Sequence, residues 1–332
     1  MGIRILGLAI LLLPPGWSRG QEVVAPWPEA VAPQEAQVGP AEKTASGSVT
    51  YRSRFFELRS PRPIREARLR EILQVMDTVP AAVKAVPLPL YQPPASERPV
   101  IEVLADADSF RAAGGGENMA GAYLNRRECI LLRADVLFGE MASAPGTPGR
   151  RKDLNLLVHE TTHLAMHRLN GNTPPWFTEG CAEYFTALRR EDGRFVFTAP
   201  EAAIRAQLAF YLGQGLNRFP VSPVPRITAL DGEQWTKWVG ELPERKRYRP
   251  YATSLLLVHY FLNGGEARRD QLRRYLEAVM RPPAPRPGPA SPWRFRGPPP
   301  PRPALELPAP ADLQAALTAF WLKQGVRIDF DE

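Results

Sequence analysis

Leu154-Asn155-Leu156-Leu157-Val158-His159-Glu160-Thr161-Thr162-His163-Leu164-Ala165-Met166-His167 is the stretch on which the reading of this chain turns, and it holds three of the chain's four histidines. Leu156, Leu157, Val158 and Leu164 mark the segment as a core helix. Residues four apart on a helix stack on one face with Cβ atoms roughly 6 Å apart. His159 and His163 can therefore converge on one metal ion, at about 2.0–2.1 Å each if the ion is zinc. Glu160 is rotated off that pair, yet stays within reach of a water at the metal, as a general base must. Imidazole is a neutral ligand near pH 7, and a carboxylate can accept the water's proton. Core histidines without a metal would need other partners.

A catalytic zinc usually keeps three protein ligands and one open position. His167 continues the ladder, but stands ~12 Å of helix rise beyond His159, too far to share an ion. Glu179 is the better third ligand, in Trp176-Phe177-Thr178-Glu179-Gly180-Cys181-Ala182-Glu183-Tyr184. The turn Asn170–Pro175 lets a second helix, opened by Pro174-Pro175, double back against the first. Glu183 lies one turn further on the same face, placed to hydrogen-bond the far nitrogen of a ligand histidine.

Working outward, the N-terminal half reads as a mixed layer. Val49–Ser60 carries Tyr51, Phe55 and Leu58 among β-formers. Ile64–Val86 repeats Leu69, Ile72, Leu73, Val75 and Met76 at helical spacing. Pro99–Leu104 has a buried-strand pattern, and Gly121–Leu124 with Cys129–Leu132 forms a hairpin around Asn125-Arg126-Arg127-Glu128. The spacing predicts an N-cap at Asp153 for a helix running to about Leu169. Further helices are expected from Pro174 and over Glu201–Leu212, Pro250–Asn263, Glu266–Met280 and Ala311–Gln324. The expected fold class is α+β: an N-terminal α/β layer with a mixed sheet, a mainly helical C-terminal lobe, and the histidine helix between them.

The remaining segments set compartment and boundaries. Met1–Gly20 reads as an export signal, with Arg4 before the apolar run Ile5–Leu13 and small residues Ser18 and Gly20 before a cleavage point. That run is well short of the ~20 residues a spanning helix needs. A periplasmic or extracellular location follows. Residues 21–48 read as a flexible lead, 49–280 as the main domain, 281–310 as a disordered Pro/Arg-rich excursion, and 311–332 as a closing helix and tail. The net charge of +7 resides mostly in residues 1–20 (+2) and 281–310 (+4), which leaves about +1 elsewhere. The main domain thus lacks the dense positive field of a nucleic-acid binder. Cys129 and Cys181 can be read as a disulfide closing a loop of about 52 residues, worth roughly 4 kcal/mol, or as two buried thiols that never meet.

His159-Glu160-x-x-His163 followed by Trp176-x-x-Glu179-Gly180-x-Ala182-Glu183-Tyr184 resembles the gluzincin type of zinc metallopeptidase. The nearest likeness is to exported bacterial proteins of a peptidase-MA-like family of unknown function. The resemblance runs from Val49 to the helix at Tyr251–Phe261, and its specific part is His159–Tyr184. It implies a zincin-like fold, one Zn2+ held by His159, His163 and Glu179, Glu160 as general base, and Glu183 orienting a ligand histidine. It also implies a tyrosine-led helix supplying an oxyanion donor, for which Tyr251 stands first, Tyr248 second and His259 third. A Gly-x-Met-Glu-Asn-type exopeptidase motif is missing, so peptide or protein substrates cut internally are expected. The contrasting reading is an inactive zinc-binding envelope scaffold that docks through the Pro/Arg-rich segment. The intact Glu160 favours the enzyme.

Overall fold

The computed structural model describes residues 26–45, 47–117, 119–138, 149–213, 218–281 and 305–331. The expected export signal and most of the Pro/Arg-rich excursion lie outside these residues. Among the described residues no helix is long and apolar enough to cross a membrane.

The N-terminal layer is a six-stranded mixed sheet, β2-β3-β4-β5-β7-β6 in spatial order. Its strands are β2 (Glu42–Lys43), β3 (Val49–Arg52), β4 (Glu57–Ser60), β5 (Val100–Leu104), β6 (Gly121–Leu124) and β7 (Cys129–Arg133); β1 (Ala30–Val31) lies apart from it. β4, β5 and β7 run parallel, while β3 and β6 run antiparallel to their neighbours β4 and β7. Parallel strands need a crossover, and α1 (Glu66–Ala85) supplies it between β4 and β5. Alternation along the strands separates two faces. Ile101, Val103, Ile130 and Leu132 join the main core, whereas Cys129 and Leu131 face Phe110 of α2 (Ala107–Ala112) on the other side. α3 (Ala134–Leu137) follows β7 directly.

The histidine helix, α4 (Gly149–Ala165), packs against α1 and against β6, the edge strand of the sheet. A turn carries the chain into α5 (Pro175–Leu188), which starts on a proline as expected. The helical lobe then comprises α6 (Glu201–Leu212), α7 (Val224–Thr228), α8 (Gly232–Glu241), α9 (Arg249–Asn263), α10 (Glu266–Met280) and α11 (Pro310–Lys323). α5 and α9 lie close enough that a Cβ at Gly180 would stand 2.4 Å from the Ser254 carbonyl oxygen. Glycine permits that approach. α11 is anchored by Trp321, which is fully buried and donates its indole N–H to the Leu256 carbonyl at 3.3 Å.

The α+β class holds, with a mixed sheet and many helices, and several finer expectations change. The lead is not free chain where it is described: β1 pairs with β8 (Phe195–Val196), and β2 pairs with β3. Two-residue strands leave too short an alternation to be seen in sequence. Asp153 is not an N-cap, because α4 already begins at Gly149, and the helix ends at Ala165 before a run of turns. β9 (Arg218–Val221) and β10 (Arg327–Phe330) form a parallel pair that draws the C-terminal tail into the lobe. Cys129 and Cys181 are both buried free thiols. They belong to separate apolar clusters, Cys129 against α2 and Cys181 in the main core, so no bridge joins them.

Candidate metal centre

α4 and α5 form a helical hairpin whose facing sides meet at the histidines. Asn170, in the connecting turn, donates its amide N–H to the His163 carbonyl at 2.6 Å. This bond ties the turn to the end of α4, where backbone carbonyls lack helical partners. Gly180 seats α5 on α9, and the neighbouring residue Glu179 is thereby held over α4.

His159 Nε2 and His163 Nε2 stand 3.1 Å apart. Glu179 Oε2 completes a triangle, 3.3 Å from His159 Nε2 and 3.6 Å from His163 Nε2. This group is able to hold a metal ion. All three side chains are largely buried, with exposures of 14%, 11% and 20% for His159, His163 and Glu179. On the far side of the His159 ring, Nδ1 lies 3.1 Å from Glu183 Oε1. A proton on Nδ1 satisfies that carboxylate and leaves the Nε2 lone pair aimed into the triangle. Two imidazole lone pairs facing each other at such range repel, unless a proton on one of the nitrogens or a metal cation sits between them.

The electrostatics agree. Burial pushes the His159 imidazole down, but the Glu179 and Glu183 carboxylates outweigh it and hold its pKa well above the ordinary value. Burial likewise pushes Glu179 up, and the facing His163 and His159 reverse this, keeping its carboxyl far below the usual range. The pocket is therefore built to retain positive charge beside a carboxylate. Glu160 is buried, and burial raises its pKa against the opposing pull of His159, His163 and the Tyr123 backbone amide. Its carboxylate sits against edge strand β6: a Cβ at Gly121 would come within 3.1 Å of Glu160 Oε1.

Tyr251, at the start of α9, lies beside the triangle, its ring edge-on to His159 with centroids 6.3 Å apart. Trp235 of α8 packs edge-on behind it at 5.8 Å. Burial first, then the carboxylates of Glu179, Glu183 and Glu160, keep the Tyr251 phenol protonated. Tyr248 lies at the rim, exposed, and stacked flat on Tyr211 at 4.7 Å. His259 is not at the cleft. It is fully buried against Phe320 and Trp321 of α11, two turns along α9 from Tyr251. As an oxyanion donor it is ruled out by position. His167 is also away from the triangle; its Nδ1 meets the Tyr123 hydroxyl at 2.6 Å and its Nε2 lies 3.4 Å from Glu128. Arg127 at the hairpin tip donates to the Ala113 carbonyl at 2.6 Å and Arg126 is exposed.

Two residues of α6 were not singled out by the sequence. Gln207 donates an amide N–H to Glu183 Oε2 at 3.2 Å, and the Tyr211 hydroxyl donates to the same oxygen. The i, i+4 spacing that puts both on one face of a helix was visible. Their target on α5 was not, because only tertiary packing brings α6 there.

Comparison of the chain with protein-family models, with curated proteins and with solved structures gives no match. The chemistry of the centre therefore rests on its own geometry.

Proposed function

We propose that the chain is a gluzincin-type zinc peptidase, exported to the periplasm or beyond and cutting peptide bonds within an extended substrate. The observation that carries the reading is the His159–His163–Glu179 triangle. Three donors around a tetrahedral zinc at 2.0–2.2 Å must stand about 3.4 Å from one another, and the edges here are 3.1, 3.3 and 3.6 Å. Two imidazoles and one carboxylate are also a donor set of the kind found with catalytic zinc, three protein ligands and a position left open. A zinc ion bound there supplies a Lewis acid for the scissile carbonyl and lowers the pKa of water.

The chain's own groups do the rest. Glu160 accepts a proton from the attacking water and returns it to the leaving amine nitrogen, and its raised pKa suits it to both transfers. Tyr251 donates its hydroxyl hydrogen to the carbonyl oxygen as negative charge gathers there. Strand β6 is the open edge of the sheet beside Glu160, so an extended peptide can pair with its main chain. Glu183 holds His159 in the tautomer whose Nε2 is a ligand.

The test is zinc content and hydrolysis of a broad peptide library by the full chain and its Glu160→Gln variant. The expected result is about one zinc per chain in both, with hydrolysis lower by roughly 100-fold or more in the variant. Protein without stoichiometric zinc would remove the metal reading. Stoichiometric zinc with hydrolysis unaffected by Glu160→Gln would leave the scaffold reading.

A further inference from the structure

We infer that Gln207 and Tyr211 on α6 are positioning residues for the metal centre, acting through Glu183 on His159. The inference rests on the metal reading above and adds residues to it that no motif in the chain marks.

Glu183 is a carboxylate with 3% of its surface exposed. An ionised carboxylate buried so deeply must have its oxygens satisfied. Here the two oxygens are divided by task. Oε1 faces His159 Nδ1 at 3.1 Å. Oε2 accepts from Gln207 Nε2 at 3.2 Å and from the Tyr211 hydroxyl. Both α6 donors are uncharged, so they hold the carboxylate in place without competing with His159 for its negative charge. Burial and the adjacent Glu183 raise the Tyr211 pKa well above the ordinary phenol value, so the hydroxyl remains a donor. The exposed ring of Tyr248 lies parallel to Tyr211, 8° between planes, and covers it from outside.

The arrangement also accounts for the different fates of two glutamates one helical turn apart. Glu179 and Glu183 share the face of α5 that looks onto α4, and either could in principle turn an oxygen toward a metal. Oε2 of Glu183 is fully engaged by α6, so its carboxylate plane is set and only Oε1 faces His159. Glu179 remains the ligand. Without Gln207 and Tyr211, Glu183 would be free to rotate about its side-chain bonds, and the His159 ring would lose the partner that fixes its orientation.

The experiment measures zinc affinity of the full chain by competition with a chromophoric chelator, for wild type, Tyr211→Phe, Gln207→Met and the double variant. Thermal unfolding of each metal-free protein is measured alongside. The expected result is a loss of zinc affinity of about tenfold for each single variant and about a hundredfold for the double, within the range outer partners of ligands command. Each single variant leaves Oε2 one of its two donors, so its metal-free unfolding temperature should fall by only a few degrees, too little to account for the loss of affinity. Because the two substitutions remove different donors to one oxygen, a folding defect in one leaves the other to decide. Unchanged zinc affinity in both variants would overturn the inference, as would an affinity loss that merely follows lost metal-free stability. A wild-type chain that binds no zinc would instead defeat the metal reading itself.

Discussion

The α4–α5 cleft and the α9–α11 contact each bury a histidine, and they give the two rings opposite chemistry. Burial acts on both in the same direction, against the charged form. At the α9–α11 contact it prevails: His259 is fully buried beside Tyr184, Phe320 and Trp321, Glu201 of α6 stands no closer than 3.7 Å to its Nε2, and its pKa is pushed down to about 3. Its Nδ1 meets Asn263 at 3.0 Å, while Nε2 has no hydrogen-bond partner among the described residues. In the cleft, Glu179 and Glu183 stand 3.3 and 3.1 Å from the two nitrogens of His159 and overturn the burial effect. A buried histidine thus stays a packing residue unless carboxylates close on it. Two stand at 3.1 and 3.3 Å from His159, and one at 3.7 Å from His259.

Removing an acid from the cleft breaks the comparison most severely. Glu179→Ala should cost more zinc affinity than the ~10–100-fold expected of an outer partner, as read by chelator competition, because it deletes one of the three proposed donors. Gly180→Ala comes next. The added Cβ would meet the Ser254 carbonyl at 2.4 Å and Val258 Cγ2 at 2.6 Å. Overpacking of this kind costs about 1–3 kcal/mol, measurable by urea denaturation. Since the shift also carries Glu179 away from α4, zinc affinity should fall with stability.

The smallest effect at neutral pH belongs to His259→Leu, and it sharpens the contrast on acidification. The folded-state pKa of His259 lies below its unfolded value, so the unfolded chain takes up a proton that the folded chain refuses. The stability contribution is complete above the unfolded pKa near 6.5 and is lost as pH falls toward 3. The metal-free wild type should lose roughly 1.4 kcal/mol per pH unit from this group in that window. His259→Leu should remove that share of the slope in urea titrations run at pH 7 and pH 4.5 with chelator present. An unchanged slope would mean that the α9–α11 contact does not exclude the proton.

Much of the centre was legible because it is local. His159, Glu160 and His163 follow from i, i+4 spacing on one helix, and Glu179 and Glu183 follow from a hairpin turn and one further helical turn. The helices over Glu201–Leu212 and Glu266–Met280 agree with their expected bounds. α8 was overlooked although its signal is present: Asp231 and Gln234 form a capping box ahead of Trp235, Trp238 and Val239. The wall of the cleft was less legible. Tyr251 could be ranked above Tyr248 and His259, but only packing shows that His259 points at α11. Gln207 and Tyr211 lie on a correctly expected helix, and no pattern in α6 names Glu183 as its partner. The β9–β10 pair joins strands more than 100 residues apart, and nothing in either short segment identifies the other.

The side chains nearest the metal position all come from one uninterrupted helical hairpin, α4 and α5. Contacts so close along the chain form early in folding, because little loop entropy is spent in closing them. Strand β6, Tyr211 and Tyr251 arrive from more distant positions and must wait for long-range packing. The donors can therefore approach one another early, although Glu179 takes its final place over α4 only once Gly180 has seated α5 on α9. The donor triangle is thus contiguous in the chain, whereas the walls around it, β6, α6 and α9, are drawn from the rest of the fold.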